Sequence, residues 1–265
     1  MGDSQPTGAG KDDQQPDDTA GDLAARPGGE RFTRAASELA DAAWAVRGFL
    51  RRAVSRMAGE WGIRQFLDIG ASVPSQRNTH LVAAGAAAGC RVIYTDTDPE
   101  VVARARELLA GVPDAVMIRA DVREPDQILG HPETRRLIDF TRPVGLLIGG
   151  VLAFVADDED PWELVRRYVD AAASGSYLAL SHGSGDHASR QTFEAVERVY
   201  AGASRRPTDR TRTEIERFFR GLEIVPPYPG AEPEVTFVGL WGAEDPAAAD
   251  SDGSRLAYGA VARKP

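Results

Sequence analysis

With 265 residues, of which 42% are hydrophobic and 27% charged, the chain has enough apolar material to bury one large core. Its formal net charge of −9 argues against broad electrostatic capture of nucleic acid or of an anionic membrane, which requires clustered Lys and Arg. No long apolar run or basic-then-apolar leader is present, so neither a membrane span nor export is expected and a cytoplasmic location is; a lone cysteine, Cys90, excludes an intramolecular disulfide framework.

Residues 1–28 are dominated by Gly, Asp, Gln and Pro and offer little to offset the entropy of ordering, so a flexible segment is expected there. Residues 29–265 form the expected domain, with a helical lead-in over 29–61 and an α/β core over 62–265. In the lead-in, Leu39, Ala42, Val46, Phe49, Ala53 and Met57 recur at the three-to-four spacing of an amphipathic helix. Arg47, Arg51, Arg52 and Arg56 cluster at helical spacing, which reads as a solvated face or an anion site.

Strands are then expected at 65–69, 91–95, 115–119, 144–148 and 176–181, with helices between them at 78–88, 99–109, 125–138 and 161–173. Each strand is a short apolar run bounded by Gly, Asp or Pro, as in strands buried on both faces. Helices at 188–203 and 211–219 precede strands near 223–226 and 256–262, and the Gly-, Pro- and Ala-rich stretch 227–253 is expected to be irregular. The alternation predicts an α/β fold of Rossmann-like type: a doubly wound, mostly parallel seven-stranded sheet with its ligand site at the carboxyl ends of the strands.

Three strand ends carry candidate site residues. The string Phe66-Leu67-Asp68-Ile69-Gly70-Ala71-Ser72 closes an apolar strand on a small-residue turn, where Gly70 permits a tight bend and close approach of a ligand. Val92-Ile93-Tyr94-Thr95-Asp96 ends on a carboxylate able to accept both hydroxyl hydrogens of a ribose. Asp98-Pro99, just beyond, reads as the N-cap and first position of a helix. Met117-Ile118-Arg119-Ala120-Asp121-Val122 places a carboxylate for an exocyclic adenine amine beside an apolar side chain for the ring face. His182 follows the fifth strand and is the candidate general base, with a loop-bracing histidine as the alternative. No metal site is expected, since His182, Asp186 and His187 lie on one short loop without a second cluster.

In this order the motifs resemble a class I S-adenosylmethionine (SAM)-dependent methyltransferase. The segments FLRRAV, IRQFLDIG, VIYTDTDP, ADVREPDQIL, RPVGLLI, GSYLALSHG and RTRTEIERFF are similar to an actinomycete family of SAM methyltransferases formerly described as a domain of unknown function. The resemblance implies SAM as cofactor, with Asp68, Gly70 and Ala71 at its methionine end, Asp96 and Thr97 at the ribose, Asp121 and Val122 at the adenine, and Asn78 and His80 matching an Asn-x-His pattern after the turn. It implies methyl transfer to an unidentified small-molecule acceptor, without nucleic-acid or membrane partners. Two residues depart from the family pattern: Ser72 stands where a second glycine is usual, and Ala153, in VLAFV, where a His is common. These departures carry the alternative, a SAM-fold protein that binds ligand without turnover. A nicotinamide-dependent oxidoreductase is disfavoured because the turn lacks GxGxxG.

Overall fold

A computed structural model of the protein describes residues 29–72, 78–201 and 205–265; the expected flexible segment 1–28 lies outside the described residues. The described residues open with one long helix, α1 (Gly29–Gly59), which is continuous. Its apolar stripe buries Phe49, Ala53, Val54, Met57 and Ala58 against the sheet, the arrangement that spacing of three and four dictates. Then follow β1 (Gln65–Ile69), α2 (Thr79–Ala86), β2 (Arg91–Asp96), α3 (Pro99–Leu108), β3 (Ala115–Arg119), α4 (Pro125–Gly130) and α5 (Pro132–Leu137). The second half contains β4 (Gly145–Gly149), α6 (Pro161–Ala171), β5 (Tyr177–Gly183), α7 (Arg190–Val199), α8 (Arg212–Glu216), β6 (Glu223–Ile224), β7 (Thr236–Phe237), α9 (Pro246–Ala249) and β8 (Ala257–Arg263).

These strands make one eight-stranded sheet in the order β3-β2-β1-β4-β5-β8-β6, with β7 also paired to β8. The pairs from β3 through β5 are parallel, and β8 runs antiparallel to its three neighbours. The expected fold therefore stands with one strand more than the seven read from sequence. β6 and β7 pair with opposite ends of β8, at Arg263 and Ala262 and at Gly259 and Tyr258. A two-residue strand such as Thr236–Phe237 has no periodicity to read, which is why the segment around it looks irregular in sequence.

Chain direction away from β1 reverses between β2 and β4, so the switch point of this sheet lies at the carboxyl ends of β1 and β4. The expected helix 125–138 is two short ones, separated where His131 leaves the helical region and accepts the Glu133 N–H at 3.2 Å, before Pro132 opens the next turn. Helix α1 crosses the end of β4 closely: a Cβ at Gly149 would lie 2.6 Å from Leu50 Cδ1. Arg52 on the same helix donates to the carbonyls of Trp241 (2.6 Å), Val238 (2.8 Å) and Gly239 (3.2 Å). The basic face is thus no simple solvated surface, because this guanidinium ties the lead-in helix to the loop before α9.

Candidate active site

The turn after β1 is built on two left-handed residues, Gly70 (φ 71°) and Ser72 (φ 59°). Gly70 is obligatory here twice over. Its φ is one that a side chain disfavours, and a Cβ would stand 2.5 Å from Val151 Cβ. Ser72, the departure from the glycine pattern, nonetheless takes the conformation that glycine would supply. Its N–H donates to Asp96 Oδ2 at 3.1 Å, and the Ala71 N–H donates to the Thr95 carbonyl at 3.0 Å. The turn is thereby fastened to the end of β2.

Asp96 is half-buried, and its Oδ1 also accepts the Asp98 N–H at 3.0 Å. A carboxylate offers about four lone-pair sites, so two remain for other donors. Asp98 is the N-cap of α3, accepting from the Glu100 and Val101 N–H groups at 2.8 and 3.4 Å, as its position before Pro99 implied. Thr97 is exposed, and its carbonyl accepts from Arg119 Nε at 3.1 Å.

Asp68 lies beside Tyr94 across the β1–β2 register and accepts from Thr79 Oγ1 at 2.6 Å. Tyr94 in turn accepts the His80 N–H at 2.8 Å and contacts His80 Nδ1 at 2.8 Å. The first turn of α2 is thus docked onto β1 and β2 by one polar chain, in which His80 and Asp68 are linked through Tyr94 and Thr79. Asn78 is the N-cap residue of that helix by position, with φ −74° and ψ 162°. Burial raises the Asp68 pKa from 3.8 to about 6, the Thr79 hydroxyl opposing it, and burial together with the Asp68 charge pushes the Tyr94 phenol up.

A raised folded-state pKa means that the folded protein holds an extra proton between pH 3.8 and about 6. The contribution of this group to stability is therefore greatest below pH 4, falls as the pH rises to about 6 and is level above it. The expected drop is about 3 kcal/mol. Asp68→Asn should flatten that part of the profile, which denaturant titrations at pH 4 to 7 would detect; an unchanged slope would show that Asp68 ionises normally.

Asp121 follows β3 and is held by Arg123, whose N–H and Nε both lie 2.9 Å from Oδ1 and whose Nη2 reaches Oδ2. The side-chain hydrogen bond from Arg123 is the main reason that its pKa is lowered. One lone pair on Oδ2 is left for a further donor. Val122 is buried, and its carbonyl accepts from Tyr168 Oη at 2.7 Å.

His182 is fully buried. Its Nδ1 is 2.6 Å from the Gly183 carbonyl and its Nε2 is 2.7 Å from Arg210 Nη1. A guanidinium can only donate, so Nε2 is the acceptor and Nδ1 carries the proton. Burial lowers the ring's pKa to about 4, which keeps it neutral. With both nitrogens engaged and no solvent exposure, the ring has no lone pair to offer a substrate. The geometry corresponds to the bracing alternative rather than to a general base.

Arg210 is the residue that the sequence reading missed. It is 1% exposed and donates to the carbonyls of Leu152 (2.9 Å) and Val155 (2.7 Å) and to Asp157 Oδ1 (2.7 Å from Nη2). The only signal for it in sequence was its place as the first residue of the segment RTRTEIERFF. Among the described residues, no group of three or more His, Cys, Asp or Glu could hold a metal ion.

Between the ends of β4 and β5, α1, α7 and residues 206–209 lies a cavity of about 370 Å³. Its walls are largely apolar and include Leu39, Val46, Phe154, Phe193, Val196 and Tyr200. Gly150 and Ala153 line it, while Val151 between them packs on Gly70. The departure at Ala153 therefore falls in this cavity, where a small side chain leaves space.

The profile of the S-adenosyl methyltransferase family matches residues 10–265. The chain belongs to that family. It is 39% identical to a DUF574 family protein from Streptomyces avermitilis, covering 89% of each chain with a TM-score of 0.79. It is 34% identical to a Thermobifida fusca protein assigned as a methyltransferase, covering 90% of this chain and 89% of that one with a TM-score of 0.77. The plantazolicin methyltransferase BamL, solved with a desmethylplantazolicin analogue and S-adenosylhomocysteine, shares the fold at 11% identity, a TM-score of 0.52 and coverage of 93% and 94%. No curated protein matches the chain. The cofactor of this S-adenosyl methyltransferase is SAM. The chain's own residues fit it: a left-handed turn at the switch point, and a strand-end carboxylate at Asp96 with lone pairs to spare. Among the described residues, no helix is long and apolar enough to cross a membrane.

Proposed function

We propose that this methyltransferase acts on a small-molecule acceptor bound in the apolar cavity beside Val151, with SAM held along the ends of β1, β2 and β3. The observation that carries this reading is the contact between Gly70 and Val151, which joins the cofactor turn to the wall of the cavity. Asp96 receives the ribose hydroxyls, Thr97 flanks them, and Asp121 and Val122 bound the adenine. Asp68, Gly70, Ala71, Asn78 and His80 surround the methionine end. Bound SAM supplies a methyl group already activated on a sulfonium, so alignment is the main task left to the protein. His182 serves that task through Arg210, by fixing the turn that carries Val151 and Ala153. The left-handed conformation of Ser72 removes one ground for a silent enzyme, since the turn forms without the second glycine.

Calorimetric titration of S-adenosylhomocysteine tests the reading. Charge-assisted hydrogen bonds are worth on the order of 1.5–3 kcal/mol each, so Asp96→Ala should weaken binding about tenfold or more. Absence of binding by the unaltered protein at millimolar ligand, or binding of NAD in its place, would overturn the cofactor site. The inosine-type analogue of S-adenosylhomocysteine has no exocyclic amine and should bind several-fold more weakly than the parent. Asp121→Asn should narrow that difference, whereas equal affinities in the unaltered protein would put Asp121 outside the adenine pocket.

A further inference from the structure

The cavity between α1, α7 and residues 206–209 has a size and a charge pattern that narrow the acceptor class. At about 370 Å³ it falls in the range of roughly 300–1,000 Å³ typical of small-ligand sites. Aromatic walls at Phe154, Phe193 and Tyr200 suit a flat apolar body. Among the described residues three charged side chains border it: Glu197, Arg206 and Asp209. Glu197 and Arg206 offset each other across 3.7 Å at the exposed rim.

Asp209 is exposed as well, but it is held in place. Its Oδ1 accepts the Gly185 N–H at 2.6 Å, which anchors the carboxylate at the end of β5, and among the described residues no cation pairs with it. Its Oδ2 lies against Gly185, where a Cβ would come within 2.6 Å of that oxygen and 2.3 Å of Phe193 Cζ. A fixed carboxylate against an aromatic wall favours a ligand that donates from nitrogen and disfavours an anion. The Thr208 N–H donates to the Ala153 carbonyl at 2.6 Å, so the segment that carries Asp209 is tied to the turn flanking the cofactor loop.

We propose that this cavity is the methyl-acceptor site and that it selects an amine borne on a compact aromatic body, with Asp209 receiving the nitrogen. The proposal rests on the functional reading above. In the reaction the bound ammonium first loses one proton to solvent by way of the Asp209 carboxylate, which frees the nitrogen lone pair; that pair forms the N–CH3 bond as the cofactor's S–CH3 bond breaks, and the cofactor leaves as its thioether. Ala153 matters because a larger side chain there would fill the space for the aromatic body.

Three probes with one hydrocarbon body test this: 1-naphthylmethylamine, 1-naphthalenemethanol and 1-naphthylacetate, titrated by fluorescence into the full chain saturated with S-adenosylhomocysteine. The amine should bind at least tenfold more tightly than the carboxylate, with the alcohol between them. Asp209→Asn keeps the acceptor for Gly185 and should bring the amine down to the affinity of the alcohol. Ala43→Trp, on the exposed side of the cavity wall, should weaken all three at least tenfold; Ala153→Leu should do the same from the opposite wall. Equal or tighter binding of the carboxylate, or a preference for the amine that survives Asp209→Asn, would overturn the proposal. So would self-association of the chain that Ala43→Trp abolishes, since that outcome would assign the cavity to a second copy. S-adenosylhomocysteine binding with no probe binding would sink the acceptor site alone, and amine binding without S-adenosylhomocysteine binding would sink the cofactor reading alone.

Discussion

Arg210→Met is expected to lower the unfolding free energy by about 3–5 kcal/mol, because it leaves three interior acceptors without their donor while Asp157, more than half exposed, can turn to water. In a chain of this size that corresponds to a fall of roughly 6–20 °C in Tm. Methionine keeps the length of the side chain and its packing near Trp162 and Phe218, whose rings lie 5.5 and 6.0 Å from the guanidinium carbon. What it removes are the donors. The carbonyls of Leu152 and Val155 and His182 Nε2 then lose the partner that Arg210 supplied in the interior, and each such loss costs about 1–3 kcal/mol. Arg210→Lys keeps the charge but not the planar fork, so it should recover only part of the loss. His182 belongs to the same unit. His182→Gln retains an acceptor for Arg210 and a donor for Gly183 and should stay close to the parent in Tm, SAM affinity and rate; His182→Ala should lose stability and rate together. If His182 were the general base instead, Gln would be as inactive as Ala while both stayed folded. A Tm change of less than about 2 °C in Arg210→Met would show that the turn holds without the guanidinium.

How far the sequence could be read follows from what each residue's environment depends on. Strands buried on both faces are largely apolar, so β1 to β5 stand out as short runs between turn residues and were legible to within two residues of their ends, β5 running on through His182 to Gly183. Asp98 was legible because an N-cap is decided by its immediate neighbours. Gly70, Asp96 and Asp121 were legible as strand-end residues, though their present partners were not: Val151, Ser72 and Arg123 are supplied by other turns or by loop geometry. Arg210 and Arg52 escaped because a charged side chain ordinarily marks a surface, and only distant carbonyls make burial tolerable. His182 looked like a base for the same reason: its position at a strand end is local, but the guanidinium that occupies its second nitrogen lies 28 residues further on. The cavity was the least visible feature, since its walls come from α1, the ends of β4 and β5, α7 and residues 206–209.

Gly70→Ala should combine a folding penalty with loss of cofactor binding, and a second glycine separates the two contributions to the penalty. Gly62 has φ 73°, close to the 71° of Gly70, yet a Cβ there meets nothing within 4 Å. Gly62→Ala therefore reports the left-handed backbone alone, about 1–2 kcal/mol. At Gly70 the new Cβ also stands 2.5, 2.6 and 3.0 Å from three carbons of Val151. None of these is the far end of a flexible chain, so either the turn or the residues after β4 must shift, at a further cost of about 1–3 kcal/mol. Shifting the turn moves Ala71 and Ser72, whose N–H groups hold the turn to Thr95 and Asp96. The position of Asp96, proposed above to hold the ribose, is thus coupled to the clash, and S-adenosylhomocysteine affinity should fall roughly a hundredfold, or about 3 kcal/mol. Val151→Gly deletes all three clashing carbons. In the double variant it should restore the packing part of the loss and much of the binding, leaving the backbone part untouched, so the two substitutions should show a coupling energy of about 1–3 kcal/mol in a double-mutant cycle. Equal destabilisation by Gly70→Ala and Gly62→Ala, or no rescue by Val151→Gly, would mean that the cofactor turn and the cavity wall are not mechanically joined through Val151.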